Sequence, residues 1–504
     1  MLFDRRILTT KTLREDLQSV IWLVLAFQRL FCRFCADAAV WTWQGTAPGA
    51  LQSGAFVQRD GPLNRRNFLT QSSGIAVALA SGVAGSVDSL RPSSDQASGL
   101  DLIELPGGFR YRTFGWRGDP LEQGMSTPGR HDGMAVVSAQ DNQLTLVRNH
   151  EMVGDSGAFG PAEMTYDPAA IGGTTTLTVD ARSGELLNAR ASLAGTLTNC
   201  AGGATPWGTW LSCEEDCVDP GLIVQGRTIR LEKKHGFVFE VPATGGADPQ
   251  PIKAMGQFAH EAVAVDPATS ICYQTEDRYV AAGLYRYLPD EAKNLHAGGR
   301  LQMLRVTGRD QMITDVPRGA LDVSWVDIEN PERGHVNPLH QDRSGVVSQG
   351  LAAGGTAFSR LEGCWFDDGK VFFSSTNGGN LSLGQIFVLD VKQQTLALLY
   401  ESSDAATMDK PDNLTVAPNG AVVICEDGTR KGQLLLGLTR AGKLKPIARN
   451  VVNLKGERNG FEGDYSDAEW CGACFSPDGQ WLFANIQKPG LTVAITGPFE
   501  DYLS

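Results

Sequence analysis

The chain has no run of 18 or more uninterrupted apolar residues, which excludes a polytopic membrane protein and a stable membrane span. It is also short of positive charge. Against 57 Asp and Glu stand only 44 Lys and Arg, and the formal net charge of −13 repels DNA, RNA and anionic lipid at long range. No stripe of Lys and Arg interleaved with aromatics offsets that repulsion, so nucleic acid is not expected as a partner. There is no Gly-x-Ser-x-Gly nucleophile elbow and no His-Glu-x-x-His helix. Long amphipathic helical patterns are scarce. What is present is ordinary globular composition, 42% hydrophobic and 20% charged, with 58 Gly and 24 Pro to make turns. The 504 residues could form about three average domains at ~150 residues each, but a repetitive all-β fold runs longer as one unit.

The first hundred residues carry a different pattern. Asn64-Arg65-Arg66-Asn67-Phe68-Leu69 precedes a weakly apolar run of small residues over 74–84 and looks like a twin-arginine export signal. It implies contact with the twin-arginine export machinery and a periplasmic or secreted protein. Such signals normally lie at the N-terminus, so residues 1–63 are read as an extension, of which 1–56 are expected to come from a misassigned start with Leu51 or Val57 as alternative starts; a genuine extension is the other reading. The Cys32-x-x-Cys35 pair would then carry no meaning. Residues 64–99 are read as signal and polar linker, and 100–504 as the folded domain.

From about residue 102 onward, β-rich runs alternate with turns such as Asp367-Asp368-Gly369, Pro418-Asn419-Gly420 and Pro477-Asp478-Gly479. Each hairpin opens and closes on a polar tag. The opening tags are His131-Asp132-Gly133, Asn199-Cys200, His260-Glu261, Leu361-Glu362-Gly363, Asp412-Asn413 and Glu469-Trp470-Cys471. The closing tags are His150-Glu151, Glu214-Glu215-Asp216, Glu276-Asp277, Thr376-Asn377, Glu426-Asp427 and Asn485-Ile486-Gln487. Six units at spacings of roughly 50–70 residues, with one longer gap, predict an all-β, six-bladed β-propeller, with a terminal strand near 102–111 closing the ring and an insertion over about 292–358 between blades three and four. In a hairpin, the start of the first strand and the end of the second share one edge. All twelve tags therefore gather at one mouth of the channel, where Glu151, Glu215, Glu261, Glu276, Asp277, Glu362, Asp412, Glu426, Asp427 and Glu469 cannot all stay ionised without cations. Oxygen ligands suit Ca²⁺, and the Cys200 thiol beside them calls for iron or zinc.

At these residues the sequence resembles the PhoX-type alkaline phosphatases. The longest match is Gly195-Thr-Leu-Thr-Asn199-Cys200-Ala-Gly-Gly-Ala-Thr205-Pro206-Trp207-Gly208-Thr209-Trp210-Leu-Ser-Cys213-Glu214-Glu215. Phe258-Ala-His260-Glu261, Thr275-Glu276-Asp277-Arg278, Pro411-Asp412-Asn413-Leu414 and Phe475-Ser-Pro-Asp-Gly479 extend it through most of the chain after the signal. The family's Arg-Pro-Glu-Trp pattern stands here as Arg360-Leu361-Glu362-Gly363, and the chain is shorter than the well-known members. The resemblance implies Fe³⁺ and Ca²⁺ at the channel mouth and hydrolysis of small phosphomonoesters by a monomer. It implies Cys200 as an iron ligand, Glu151, Glu215, Glu261, Glu276 and Glu362 as oxygen ligands, and Asp277 and Asp412 in reserve. Arg360 is the candidate for the phosphate clamp, with a plain surface Arg as the other reading, and Arg360, Cys200 and Glu362 are the residues expected to carry catalysis. His150 and His260 would orient the ligands beside them. A calcium-dependent lactonase and a non-catalytic binding propeller stay open as alternatives, the first with no evident use for the Cys200 thiol.

Overall fold

The structure is a computed structural model that describes residues 89–504 except 225, 226 and 229. The arginine pair Arg65-Arg66, the apolar run 74–84 and Cys32 and Cys35 lie outside the described residues. Within them the protein is all-β with a propeller-like arrangement; the longest described α-helix, Gly345–Ala352, has 8 residues. No described helix is long and apolar enough to cross a membrane.

Antiparallel hairpins set the pattern. Their first strands are His131–Gln140, Asn199–Ala204, His260–Val265, Leu361–Asp367, Pro411–Val416 and Trp470–Phe475, each paired to the strand that follows it. Each first strand packs on the next, and the last packs on the first. The turns between paired strands use residues that tolerate left-handed backbone: Asp368 and Gly369 sit at φ +42° and +75°, Gly420 at +81° and Gly479 at +71°. The core lies between neighbouring sheets. Met134, Leu146, Leu177, Leu193, Trp210, Phe237, Phe239 and Phe483 form one buried cluster that joins the first hairpin sheet to those on either side.

The two ends of the folded domain meet in one sheet. Arg110–Phe114 pairs antiparallel with Leu491–Thr496, so a strand from the N-terminal side completes the sheet that the C-terminal hairpin begins. This is later in the chain than the expected 102–111; the strand Asp101–Leu105 instead pairs with Leu444–Asn450 at the edge of the preceding sheet. Arg148, fully buried, ties this junction by donating from Nη1 to the carbonyl of Gly115 at 2.9 Å and to Thr492 Oγ1 at 2.8 Å.

The excess expected over 292–358 does not leave the sheet at its start. Asn294–Val306 pairs with Leu284–Glu291, and Leu321–Asp327 then pairs with both Asn294–Val306 and Thr395–Glu401, fusing two hairpin sheets into one of nine strands. Gly298, Gly299 and Arg300 break the apolar pattern of the strand Asn294–Val306: only Leu295 is buried in its first half, whereas Leu301, Met303, Leu304 and Val306 in its second half enter the core.

Candidate metal centre

The hairpins place polar side chains by one repeated device. In each, the first strand pairs with its partner, leaves two residues unpaired, and resumes: the breaks fall between His131 and Met134, Asn199 and Gly202, His260 and Val263, Leu361 and Cys364, Pro411 and Leu414, and Cys471 and Cys474. Such a bulge re-aims the side chains it frees. The freed residues include Asp132, Cys200, Glu261, Glu362 and Asp412. A second backbone contact recurs with them: the N–H after each second strand donates to the carbonyl before the first strand. It runs from Glu151 to Arg130, Glu215 to Thr198, Asp277 to Ala259, Thr376 to Arg360, Asp427 to Lys410 and Gln487 to Glu469. Two rings of side chains are thereby fixed at one end of the channel.

Their donor atoms converge. Cys200, Glu215 and Glu261 lie with their ligand atoms within 4.8 Å of one another, as do Glu261, Glu362 and Asp412, then Asp412, Asp427 and Glu469, and then Glu469, Glu151 and Asp132. Each triad shares a member with the next, so the donors form one continuous arc. Burial pushes the carboxyl of Glu261 well above the usual range, reinforced by Glu362 and Asp412. Burial does the same to Glu215, Glu362, Asp132 and Glu469, with acidic neighbours adding to it, and raises Asp412 to about 7. The Cys200 thiol is likewise pushed up by burial and by Glu261 and Glu215, and its Sγ lies 3.2 Å from the carbonyl oxygen of His260.

Few cations balance this charge. Arg360 sits at φ +45° at the mouth and reaches back to Asp277, Nε to Oδ1 at 3.0 Å and Nη2 to Oδ2 at 3.0 Å, while Nη2 lies 2.6 Å from Glu362 Oε1. Arg130 contacts Glu151 at 3.2 Å. Eight buried or half-buried carboxylates and one thiol against these two guanidiniums and Lys488, whose charge acts on Glu151 and Asp427, make a donor set that fits metal cations: oxygen-rich for hard ions, with one sulfur for a transition metal.

Glu276 stands outside the arc. It ends its strand and faces into its own sheet, accepting from the Gly283 N–H at 2.9 Å and the Tyr285 hydroxyl at 2.7 Å, because adjacent strand residues point to opposite sides. Glu426 and Glu214 occupy the same position in their hairpins and do the same work, accepting from the Leu434 N–H at 3.0 Å and the Gly236 N–H at 2.8 Å. Asp277 faces the mouth but is taken up by Arg360 rather than by a triad. The expected ligand set also omitted Asp132, Asp427 and Glu469; aligning the tags would have found Asp132, which holds the same place after its strand start as Cys200, Glu261, Glu362 and Asp412. His150 is buried between the Gly129 carbonyl, 3.0 Å from Nδ1, and Thr175 Oγ1, 2.9 Å from Nε2; His260 stacks on Phe258 with ring centroids 3.6 Å apart. Both hold the framework behind the acidic residues. Cys213, Cys217, Cys471 and Cys474 are free, buried thiols.

The floor of the site is backbone. A Cβ on Gly133 would lie 2.5 Å from Ala201 Cα, and one on Gly363 would lie 2.5 Å from Leu414 N. Below them remains a cavity of about 20 Å³ lined by Gly133, Ala201, Ala262, Gly363, Asn413 and Ala473. Neighbouring first strands thus pack backbone to backbone beneath the arc.

The family model for alkaline phosphatase PhoX matches residues 87–192 and 185–490. Among solved structures, Pseudomonas fluorescens PhoX in complex with vanadate, a transition state analogue, is similar with a TM-score of 0.59 and 18% identity, covering 83% of this chain and 98% of that one. A candidate gluconolactonase superposes at a TM-score of 0.36 with 13% identity, covering 81% and 97% of the two chains, and the WD40 β-propeller domain of Doa1 at 0.36 with 10% identity, covering 78% and 100%. Neither of these last two is close enough to bear on function. No curated protein sequence matches the chain.

Proposed function

Since this chain belongs to the PhoX alkaline phosphatase family, we propose that its acidic mouth is the metal-loaded active site of a phosphomonoester hydrolase on a six-bladed propeller. The carrying observation is the arc of overlapping triads, in which carboxylates from different hairpins crowd around Cys200 with too few cations of their own. Cys200, Glu215 and Glu261 would hold iron, and the carboxylates from Glu261 round to Asp132 would hold calcium. Such cations supply the Lewis acidity that neutralises a phosphoryl group, which carboxylates alone would repel.

The chain's own part is positioning. Asp277 takes Nε and Nη2 of Arg360 and Glu362 lies against Nη2, which orients the guanidinium and leaves the Nη1 N–H groups as the donors a phosphoryl group can meet. The close-packed backbone beneath the arc would present the ester from the mouth and leave the alcohol portion at the rim. For the blade count, the support is the six-fold recurrence of the bulge and of the N–H to carbonyl contact. The side lobe then narrows to the part of 292–358 that lies outside paired strands, which includes the turn carrying Arg343.

The protein would act as a monomer on small phosphomonoesters in the periplasm or outside the cell, exported through the twin-arginine route by Arg65 and Arg66; the double substitution Arg65→Lys with Arg66→Lys should keep it in the cytoplasm. The direct test of activity is hydrolysis of p-nitrophenyl phosphate at alkaline pH with and without a chelator. Turnover that chelation abolishes supports the proposal, and acid release from a lactone with no phosphate release contradicts it.

A further inference from the structure

The rim of the mouth is unlike the rest of the surface. Among the described residues seven large hydrophobics are strongly exposed: Val153, Leu187, Tyr279, Val280, Val336, Leu339 and Leu381. All but Leu187 lie on segments that leave the mouth. Val153 follows Glu151 by two residues, Tyr279 and Val280 follow Asp277 by two and three, and Leu381 follows Thr376 by five. Val336 and Leu339 belong to the turn whose Arg343 pairs with Asp216, next to Glu215. Scattered exposed hydrophobics need no explanation, but their concentration at one ligand-bearing rim does.

Tyr279 is the most exposed of them, at 75%, with Val280 at 56%. The tip that carries them is held under strain. Val280 and Ala281 both have left-handed backbone, φ +59° and +68°, which a β-branched residue adopts only when its surroundings compel it. The compulsion comes from the segment leading to Arg360: Ala282 and Phe358 exchange backbone hydrogen bonds of 2.9 and 2.8 Å, and the Arg360 N–H donates to the Arg278 carbonyl at 2.9 Å. The Val280 N–H donates to Ser359 Oγ at 3.4 Å. The loop 278–282 is thus laced to the backbone that positions Arg360, and Tyr279, which directly follows the Arg278 carbonyl that accepts from the Arg360 N–H, has no hydrogen bond, ion pair or ring partner among the described residues.

We propose that Tyr279 is a specificity residue, an aromatic platform for the alcohol portion of the substrate, and that the preferred substrates are phosphomonoesters whose alcohol carries an aromatic ring. This rests on the reading of the mouth as a phosphatase site. With the phosphoryl group turned toward Arg360 and backbone packed close beneath the arc, the rest of the ester leaves through the rim, where Tyr279 is the most exposed large hydrophobic among the described residues. A membrane surface is disfavoured as the occupant because the net charge of −13 and the acidic mouth repel anionic lipid.

The test compares benzyl phosphate with glycerol 1-phosphate, two esters of primary alcohols with similar intrinsic reactivity, using metal-replete wild type and Tyr279→Ser. Loss of one stacked ring should raise KM for benzyl phosphate about tenfold, leaving kcat and both constants for glycerol 1-phosphate unchanged. Calorimetry with phenylphosphonate and methylphosphonate reads the same subsite without turnover. The variant should lose the wild-type preference for the phenyl compound. Equal effects on both esters, or none, overturn the platform while leaving the phosphatase reading intact. If wild type hydrolyses neither ester yet loses its phenylphosphonate preference with Tyr279→Ser, the platform stands and the phosphatase reading falls. No turnover and no preference overturn both.

Discussion

His235 offers a quantitative test of how the acidic hairpin ends are held. It is fully buried, with Nδ1 2.6 Å from Glu214 Oε1 and Nε2 3.3 Å from Asp167 Oδ2. Burial alone would push its pKa down, but Glu214 and Asp167 outweigh that and raise it from 6.5 to about 9. On the other side, His235 and the N–H groups of Ala169, Lys233 and Glu232 offset the effect of burial and hold Asp167 down at about 2. A group whose pKa is higher folded than unfolded adds stability that is complete below the unfolded value and disappears as pH rises through the folded one. His235 therefore contributes about 3 kcal/mol below pH 6.5, lost progressively between 6.5 and about 9. His235→Gln removes the charge and leaves two buried carboxylates short of a donor. Urea denaturation followed from pH 6 to pH 10 should show the variant about 3 kcal/mol less stable at pH 6, with the gap narrowing as wild type loses its imidazolium. A gap that stays constant over this range, or no gap at pH 6, would refute the charge assignment.

Other expectations follow from the same geometry. Cys200→Ser should lower iron content and bleach any visible thiolate-to-iron absorption, with the β-sheet circular dichroism unchanged, because a serine hydroxyl is a harder and far less acidic donor. Glu261→Gln, which removes a donor shared by two triads, should cut turnover about a hundredfold together with bound metal. Glu276→Ala should instead retain metal and lose about 1–3 kcal/mol of stability, since it strips the buried Tyr285 hydroxyl and Gly283 N–H of their acceptor. Gly363→Ala places a Cβ 2.5 Å from Leu414 N and should cost about 3 kcal/mol by forcing two neighbouring first strands apart, read as a lower melting temperature or insoluble protein.

Much of this site could be read from residue order, for a physical reason. Polar pairs such as His260-Glu261 interrupt strongly β-forming runs, and the antiparallel hairpin obliges the interruptions to meet at one edge. Which member of a pair faces the mouth was not legible. Glu276 and Asp277 are equivalent as letters, and only the end of the strand at Glu276 turns the first into the sheet and the second outward. Asp132 was overlooked because its role follows from the bulge after His131, which no single hairpin announces. The strand Asn294–Val306 hid for a related reason: an outer strand half exposed to solvent lacks the continuous apolar run that marks the inner ones. The apolar rim is not legible in the sequence, since Tyr279 and Val280 gain significance only once the 358–360 segment is seen to hold their loop in left-handed backbone.

The central claim is that the arc from Cys200 to Asp132 binds catalytic cations. Elemental analysis of the purified protein, performed on the same sample as the p-nitrophenyl phosphate assay before and after chelation, tests it most directly. The account predicts iron and calcium bound together, with phosphatase activity that falls as they are removed and returns when they are restored. Full turnover from protein shown to carry no metal would contradict it.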